Sequence, residues 1–223
     1  MFKVNYIISR YINDYVNSIA GVIVSVTDFD SKKANDSVLK GFAHLVFQLS
    51  LNLPTIVYKV DAFGEILTAV GASAYISGIY EGESLSSKKY SEESNGRQSK
   101  KFYYPLIMDR MDRDDLERID YMKEIGSEPI NAEVRLAHYI RAKNDFITKM
   151  QTMSDHCDRV EYMIQRVENA FKEGERLKIK YGVKLNNAHL SRWLRVLNIA
   201  KTWTSTKEEE ISINDLLAEI DSH

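Results

Sequence analysis

From Ile130 onwards the apolar residues recur at one kind of spacing. They form three sets: Val134, Ala137 and Ile140; Val160, Met163, Ile164, Val167 and Phe171; and Leu190, Trp193, Leu194, Leu197 and Ala200. Steps of three and four residues put each set on one stripe of a helix, and such a stripe must be buried against another element. Residues 130–223 are therefore expected to form an α-helical bundle. Ser212, Asn214 and Asp215, ahead of Leu216, supply capping residues for a last helix.

The first third is patterned differently. Residues 21–26 (GVIVSV) are a β-branched apolar run with the length of a buried strand, and the run ends at Thr27-Asp28-Phe29-Asp30. Val38, Leu39, Phe42, Leu45, Val46 and Leu49 follow at helical spacing, and Pro54 closes that segment. Residues 55–60 and 65–70 read as two more strands, separated by a turn at Asp61-Ala62-Phe63-Gly64. Residues 4–16 fit either a short helix or a strand. The expected fold class is thus α/β: a small α/β core over residues 1–77, then a helical bundle, with helix dominant overall. Residues 78–102 are expected to be a polar flexible loop, being rich in Ser, Glu and Lys, and residues 103–129 a connecting segment.

Composition narrows the function classes. A formal net charge of -2 offers no global attraction for nucleic acid or anionic lipid, so any such contact must be local. The paired lysines Lys88, Lys89, Lys100 and Lys101 keep nucleic acid open as a partner, although Glu81, Glu83, Glu92 and Glu93 oppose them. The single Cys157 excludes an internal disulfide framework, and no Cys/His spacing suits structural zinc. Asn5, Ser9, Arg10, Asn13 and Asp14 interrupt the N-terminal apolar residues, and no run approaches the length of a membrane span. A cytoplasmic protein with no membrane partner is expected.

No GxxxxGK[ST], GxGxxG, HExxH or GxSxG motif is present. His156 and Cys157 are adjacent, but neighbours one apart on a helix point in different directions, which argues against a thiol–base pair. Asp28 and Asp30, at the carboxyl end of the first strand, stand where α/β sheets present metal or water ligands; the alternative is an Asx turn. The mixed-charge run from Asp109 to Asp115 reads as a solvated helix start with acids at the positive end of the dipole.

Taken in order, these pieces resemble the C-terminal part of the AAA+ domain of MCM-type replicative helicases, with a lid also similar to that of MoxR-type ATPases. GVIVSVTDFD resembles the Walker B strand, and residues 38–49 the helix after it. Residues 51–58 match the place of the DNA-facing hairpin, residues 65–70 the sensor-1 strand, and Tyr104 to Asp112 the arginine-finger element. Residues 131–141, 189–202 and 211–220 are similar to lid helices. The resemblance implies Arg110 as an arginine finger acting in trans, Asp28 with Asp30 as a degenerate Walker B pair, and Arg192 as a sensor-2-like residue one turn beyond Ala188 and His189.

It also implies losses. Thr27 replaces the metal-ordering Asp, Gly71 or Ala72 falls at the sensor-1 Asn, the hairpin Lys falls near Leu53, and the P-loop has no place ahead of Gly21. The isolated chain is accordingly expected not to bind or hydrolyse ATP, to need no cofactor, and to meet ATP only at an interface with a partner subunit. The leading expectation is a degenerate MCM-like, non-catalytic subunit or regulator in DNA replication or another nucleoprotein assembly, with the P-loop on another polypeptide as a variant of that reading. The alternatives are a helical adaptor unrelated to AAA+ proteins, and an enzyme holding a divalent metal on Asp28 and Asp30.

Overall fold

The computed structural model describes residues 18–27, 29–77, 101–119 and 132–203. In chain order these form β1 (Val22–Ser25), α1 (Asp36–Ser50), β2 (Thr55–Tyr58), α2 (Phe63–Ala69), β3 (Ala74–Ile76), β4 (Lys101–Tyr104), a 3-10 turn (Pro105–Ile107), β5 (Asp109–Asp112), α3 (Arg113–Arg118), α4 (Ala132–Gln151), α5 (His156–Tyr181) and α6 (Ala188–Ala200). The chain is mixed α/β and helix-dominated.

The sheet β1-β2-β3 is wholly parallel, with Val24 opposite Val57 and Val57 opposite Tyr75. Helices α1 and α2 are its two crossover connections. α1 starts where Asn35 Oδ1 accepts the Val38 N–H at 2.9 Å, and it buries Leu39, Phe42, Ala43, Val46 and Phe47. Among the described residues no element covers the opposite sheet face, where Ile23 is 72% exposed and Ile76 47%. Parallel sheets are normally covered on both faces, so this is an unusual surface. Among the described residues, the strand at residues 22–25, expected to be buried, stands at the edge of the sheet with Ile23 and Ser25 exposed.

Three further expectations are corrected. Residues 65–70 are not a strand, because Phe63, Ile66, Leu67 and Val70 repeat at helical spacing and are all fully or almost fully buried on α2; the third strand lies later, at Ala74–Ile76. Residues 51–58 are not a hairpin. They are the turn after α1 and the central strand, and Leu53 is 5% exposed, turned into the protein rather than toward a nucleic acid. The run from Asp109 is not a helix start either: Asp109–Asp112 pairs antiparallel with Lys101–Tyr104, and the helix begins at Arg113, with Asp114 and Asp115 in its first turn. The polar segment expected up to residue 102 therefore gives way to a strand at Lys101.

The helices at residues 132–200 lie where periodicity puts them, and the last helix expected over residues 211–220 lies outside the described residues. One cluster of buried side chains joins them to the sheet: Phe29 touches Phe42 and Phe63 at centroid distances of 5.2 and 5.7 Å, and Phe63 reaches Trp193 on α6 at 5.8 Å. A smaller cluster of Tyr104, Ile107, Met111, Leu116, Ile119, Leu177 and Val183 seats the β4–β5 hairpin and α3 on the end of α5.

Candidate functional site

Loops leaving the carboxyl ends of parallel strands are where open α/β sheets place ligands. Here the loop after β1 is clamped by Asp61, which follows β2 in the left-handed backbone region at φ 48°. Asp61 Oδ1 accepts the Ser31 hydroxyl at 2.7 Å and the Phe63 N–H at 2.8 Å, and Oδ2 accepts the Ser31 N–H at 3.2 Å. Burial pushes the Asp61 carboxyl up to about 6, because these neutral donors only partly replace its lost hydration. The clamp sets the position of Lys32. Its ammonium pairs with Asp109 of β5, and its carbonyl accepts a hydrogen bond from Arg192 of α6.

Lys32, Asp109 and Arg110 then line a cleft of about 280 Å³ with Lys184, Asn186 and His189, at the start of α6. Asn187, next to Asn186, can approach α5 because position 174 is Gly; a Cβ would stand 2.4 Å from Asn187 Nδ2. Asn186 Oδ1 accepts the Ala188 N–H at 3.1 Å. His189 is 2% exposed, and burial drives its imidazole down to about 4, so it is neutral at physiological pH. Its Nδ1–H donates to the Asn186 carbonyl at 3.1 Å, which leaves a buried Nε2 with no partner. Among the described residues, three cationic side chains, one paired carboxylate and a helix N-terminus give this cleft an excess of positive charge, a setting suited to phosphate or carboxylate oxygens.

A second group of charges is buried deeper. Glu65 of α2 has no exposed surface, and its carboxylate is shared by Lys143 of α4 and Arg166 of α5, the Arg166 Nε lying 3.0 Å from Oε2. Tyr103 donates its hydroxyl to Oε1 at 3.1 Å. Burial raises the carboxyl pKa, but the two cations outweigh it and hold Glu65 down at about 2. Lys143 also donates to the Tyr75 hydroxyl at 2.5 Å and lies 4.9 to 5.6 Å from the ring centres of Tyr75, Tyr103 and Tyr139. Tyr75 fits against α2 only because residue 64 is Gly; a Cβ there would stand 2.2 Å from the ring.

The residues singled out from sequence are thus separated. Arg110 lines the cleft, half-buried on a strand. Arg192 braces the cleft from behind by tying the β1 loop to α6. Asp30 accepts the Lys32 N–H at 3.0 Å and pairs with Lys33; burial works against its charge, and those partners outweigh it and lower its pKa, which is the behaviour of a turn-forming carboxylate. Asp28, Lys88, Lys89 and Lys100 lie outside the described residues, and Lys101 opens β4. His156 binds the Ala200 carbonyl at 2.9 Å and Cys157 faces the Lys201 carbonyl, so the two serve the end of α6. No group of three or more metal-ligating side chains occurs among the described residues, and none of their helices is long and apolar enough to cross a membrane.

Sequence reasoning passed over Lys32, Lys184 and Glu65, and weighed His189 only as an alternative to Arg192. The one local signal was Glu65 itself, a carboxylate inside the apolar run Phe63 to Val70, where a charge needs buried partners. Comparison with protein-family models, curated proteins and solved structures finds no match, so the chemistry of these two charged sites is what bears on function.

Proposed function

We propose that this chain is a non-catalytic, partner-dependent subunit or regulator of a nucleoprotein assembly, and that it offers the Arg110 cleft to a phosphate group supplied in trans. The observation that carries this reading is the convergence of Arg110 with Lys32, Lys184 and the start of α6 at the carboxyl edge of the parallel sheet. Guanidinium and ammonium groups at a helix N-terminus favour a phosphate oxyanion without any further cofactor. An arginine finger works in the same way, by meeting charge on a nucleotide held by a neighbour, and the MCM-like reading belongs to this proposal.

The test is the ATPase rate of a AAA+ partner isolated with this chain, measured at equal occupancy with wild-type and Arg110→Ala protein. A fall of about 10³-fold or more fits a finger in trans, whereas equal rates exclude that role. A second reading, a helical adaptor that docks through its sheet, is favoured by the open face bearing Ile23 and Ile76. It predicts that Ile23→Lys breaks assembly while Arg110→Ala does not.

A further inference from the structure

A larger cavity, of about 680 Å³, lies between the end of α2, strand β3 and the first helix of the bundle. It shares no described lining residue with the Arg110 cleft. Its volume falls in the range of small-molecule sites. One wall is a single face of α4: Ile140, Lys143, Asn144, Ile147 and Met150 recur at helical spacing and all line it. Ile140 and Ile147, on that face, are 47% and 42% exposed. Tyr75 and Tyr139 supply aromatic surface.

The polar groups of this cavity share one sign. Of its described lining residues two, Lys143 and Arg159, are cationic and none is acidic. Two of its lining side chains also carry buried polar atoms without a partner, Ser77 Oγ and Arg159 Nε. Arg159 is held in place through its Nη1, which donates to the carbonyls of Met153 and Ser154 at 3.2 and 3.1 Å. Lys143 is fixed from behind by Glu65, so its charge does not have to be ordered when a ligand arrives. Buried donors left unsatisfied are costly, and a ligand that reaches them recovers that cost.

We propose that this cavity binds a small organic acid, with an apolar body against Tyr75, Tyr139, Ile140 and Ile147 and its anionic group directed to Arg159 and Ser77, near the charge of Lys143. The apolar walls provide most of the contact area, and the cations select for charge. This site stands independently of the Arg110 cleft.

The test uses a fluorescent apolar anion, 8-anilinonaphthalene-1-sulfonate, beside its uncharged counterpart N-phenyl-1-naphthylamine, with the full chain. The wild type should bind the anion at least about tenfold more tightly than the neutral probe. Arg159→Gln should reduce that preference to within about threefold while the neutral probe binds as before. Ile147→Trp fills the cavity from a partly exposed position that tolerates a larger side chain, and it should abolish saturable binding of both probes without lowering the melting temperature. Equal wild-type affinity for the two probes overturns the charge selection. Unchanged binding in a folded Ile147→Trp variant overturns the site itself.

Discussion

Two buried carboxylates a few residues apart behave in opposite ways. Glu65 is surrounded by an ammonium, a guanidinium and a phenol and is held at about 2; Asp61 is surrounded by a hydroxyl and two backbone N–H groups and is pushed up to about 6. Depth does not separate them, since both are buried. The charge of the partners does. Glu65 joins three elements distant in sequence, α2, α4 and α5, and its ion pairs link the sheet to the bundle. Asp61 ties together two neighbouring loops, which neutral donors suffice to hold.

The largest expected effect follows from breaking the Glu65 side. Glu65→Gln leaves Lys143 and Arg166 buried without their carboxylate and should cost about 3–5 kcal/mol in chemical denaturation. The triple change Glu65→Leu, Lys143→Met, Arg166→Met should recover much of that loss. If Glu65→Gln is as stable as wild type, the ion pairs do not join the two parts of the molecule.

The pH dependence comes next, and its two components have opposite signs. The Glu65 pKa is depressed from 4.5 to about 2, so its stabilisation is complete above pH 4.5 and is lost as pH falls toward 2, on the order of 3 kcal/mol. The Asp61 pKa is raised from 3.8 to about 6, so the native state binds the proton more tightly and this group favours folding as pH falls from 6 toward 3.8. Urea midpoints measured between pH 2.5 and 7 should show both components, the lower one missing in Glu65→Gln. Asp61→Asn should flatten the window from pH 6 to 4, with a change at pH 7 below about 2 kcal/mol, because one amide still accepts from Ser31 and Phe63.

The smallest effect belongs to an exposed pair. Arg195 makes two hydrogen bonds to Asp36, at 2.6 and 3.0 Å, on the solvent side of α1 and α6. Solvent screens that contact, so Arg195→Ala should leave the melting temperature within experimental scatter of wild type. A clear drop would mean that partner charge matters even without burial.

Helical spacing made α1 and the bundle legible, because a stripe of apolar residues repeated over many turns has one physical meaning. It did not resolve α2, where a short apolar run fits a strand or a helix equally well, nor the exposure of β1, which depends on how many elements cover the sheet. The Glu65 cluster stayed hidden because its partners lie 78 and 101 residues away. Arg110 was found by resemblance to a motif, whereas Lys32 and Lys184 reach the cleft from a loop and a helix end that carry no local signal. His189 was weighed only as a sensor-2 alternative, and nothing in the sequence marks its unpartnered ring nitrogen.

The most direct measurement of the proposed anion cleft is an NMR titration of the His189 ring with sulfate, an oxyanion that does not itself change charge across the useful pH range. Burial holds His189 neutral, its pKa down at about 4, and a bound anion stabilises the imidazolium. Saturable shifts at the His189 ring and a rise of about one unit in the His189 pKa are expected with sulfate bound, both absent in a folded Arg110→Ala variant. A His189 pKa that sulfate does not move, or that moves equally in Arg110→Ala, would contradict it.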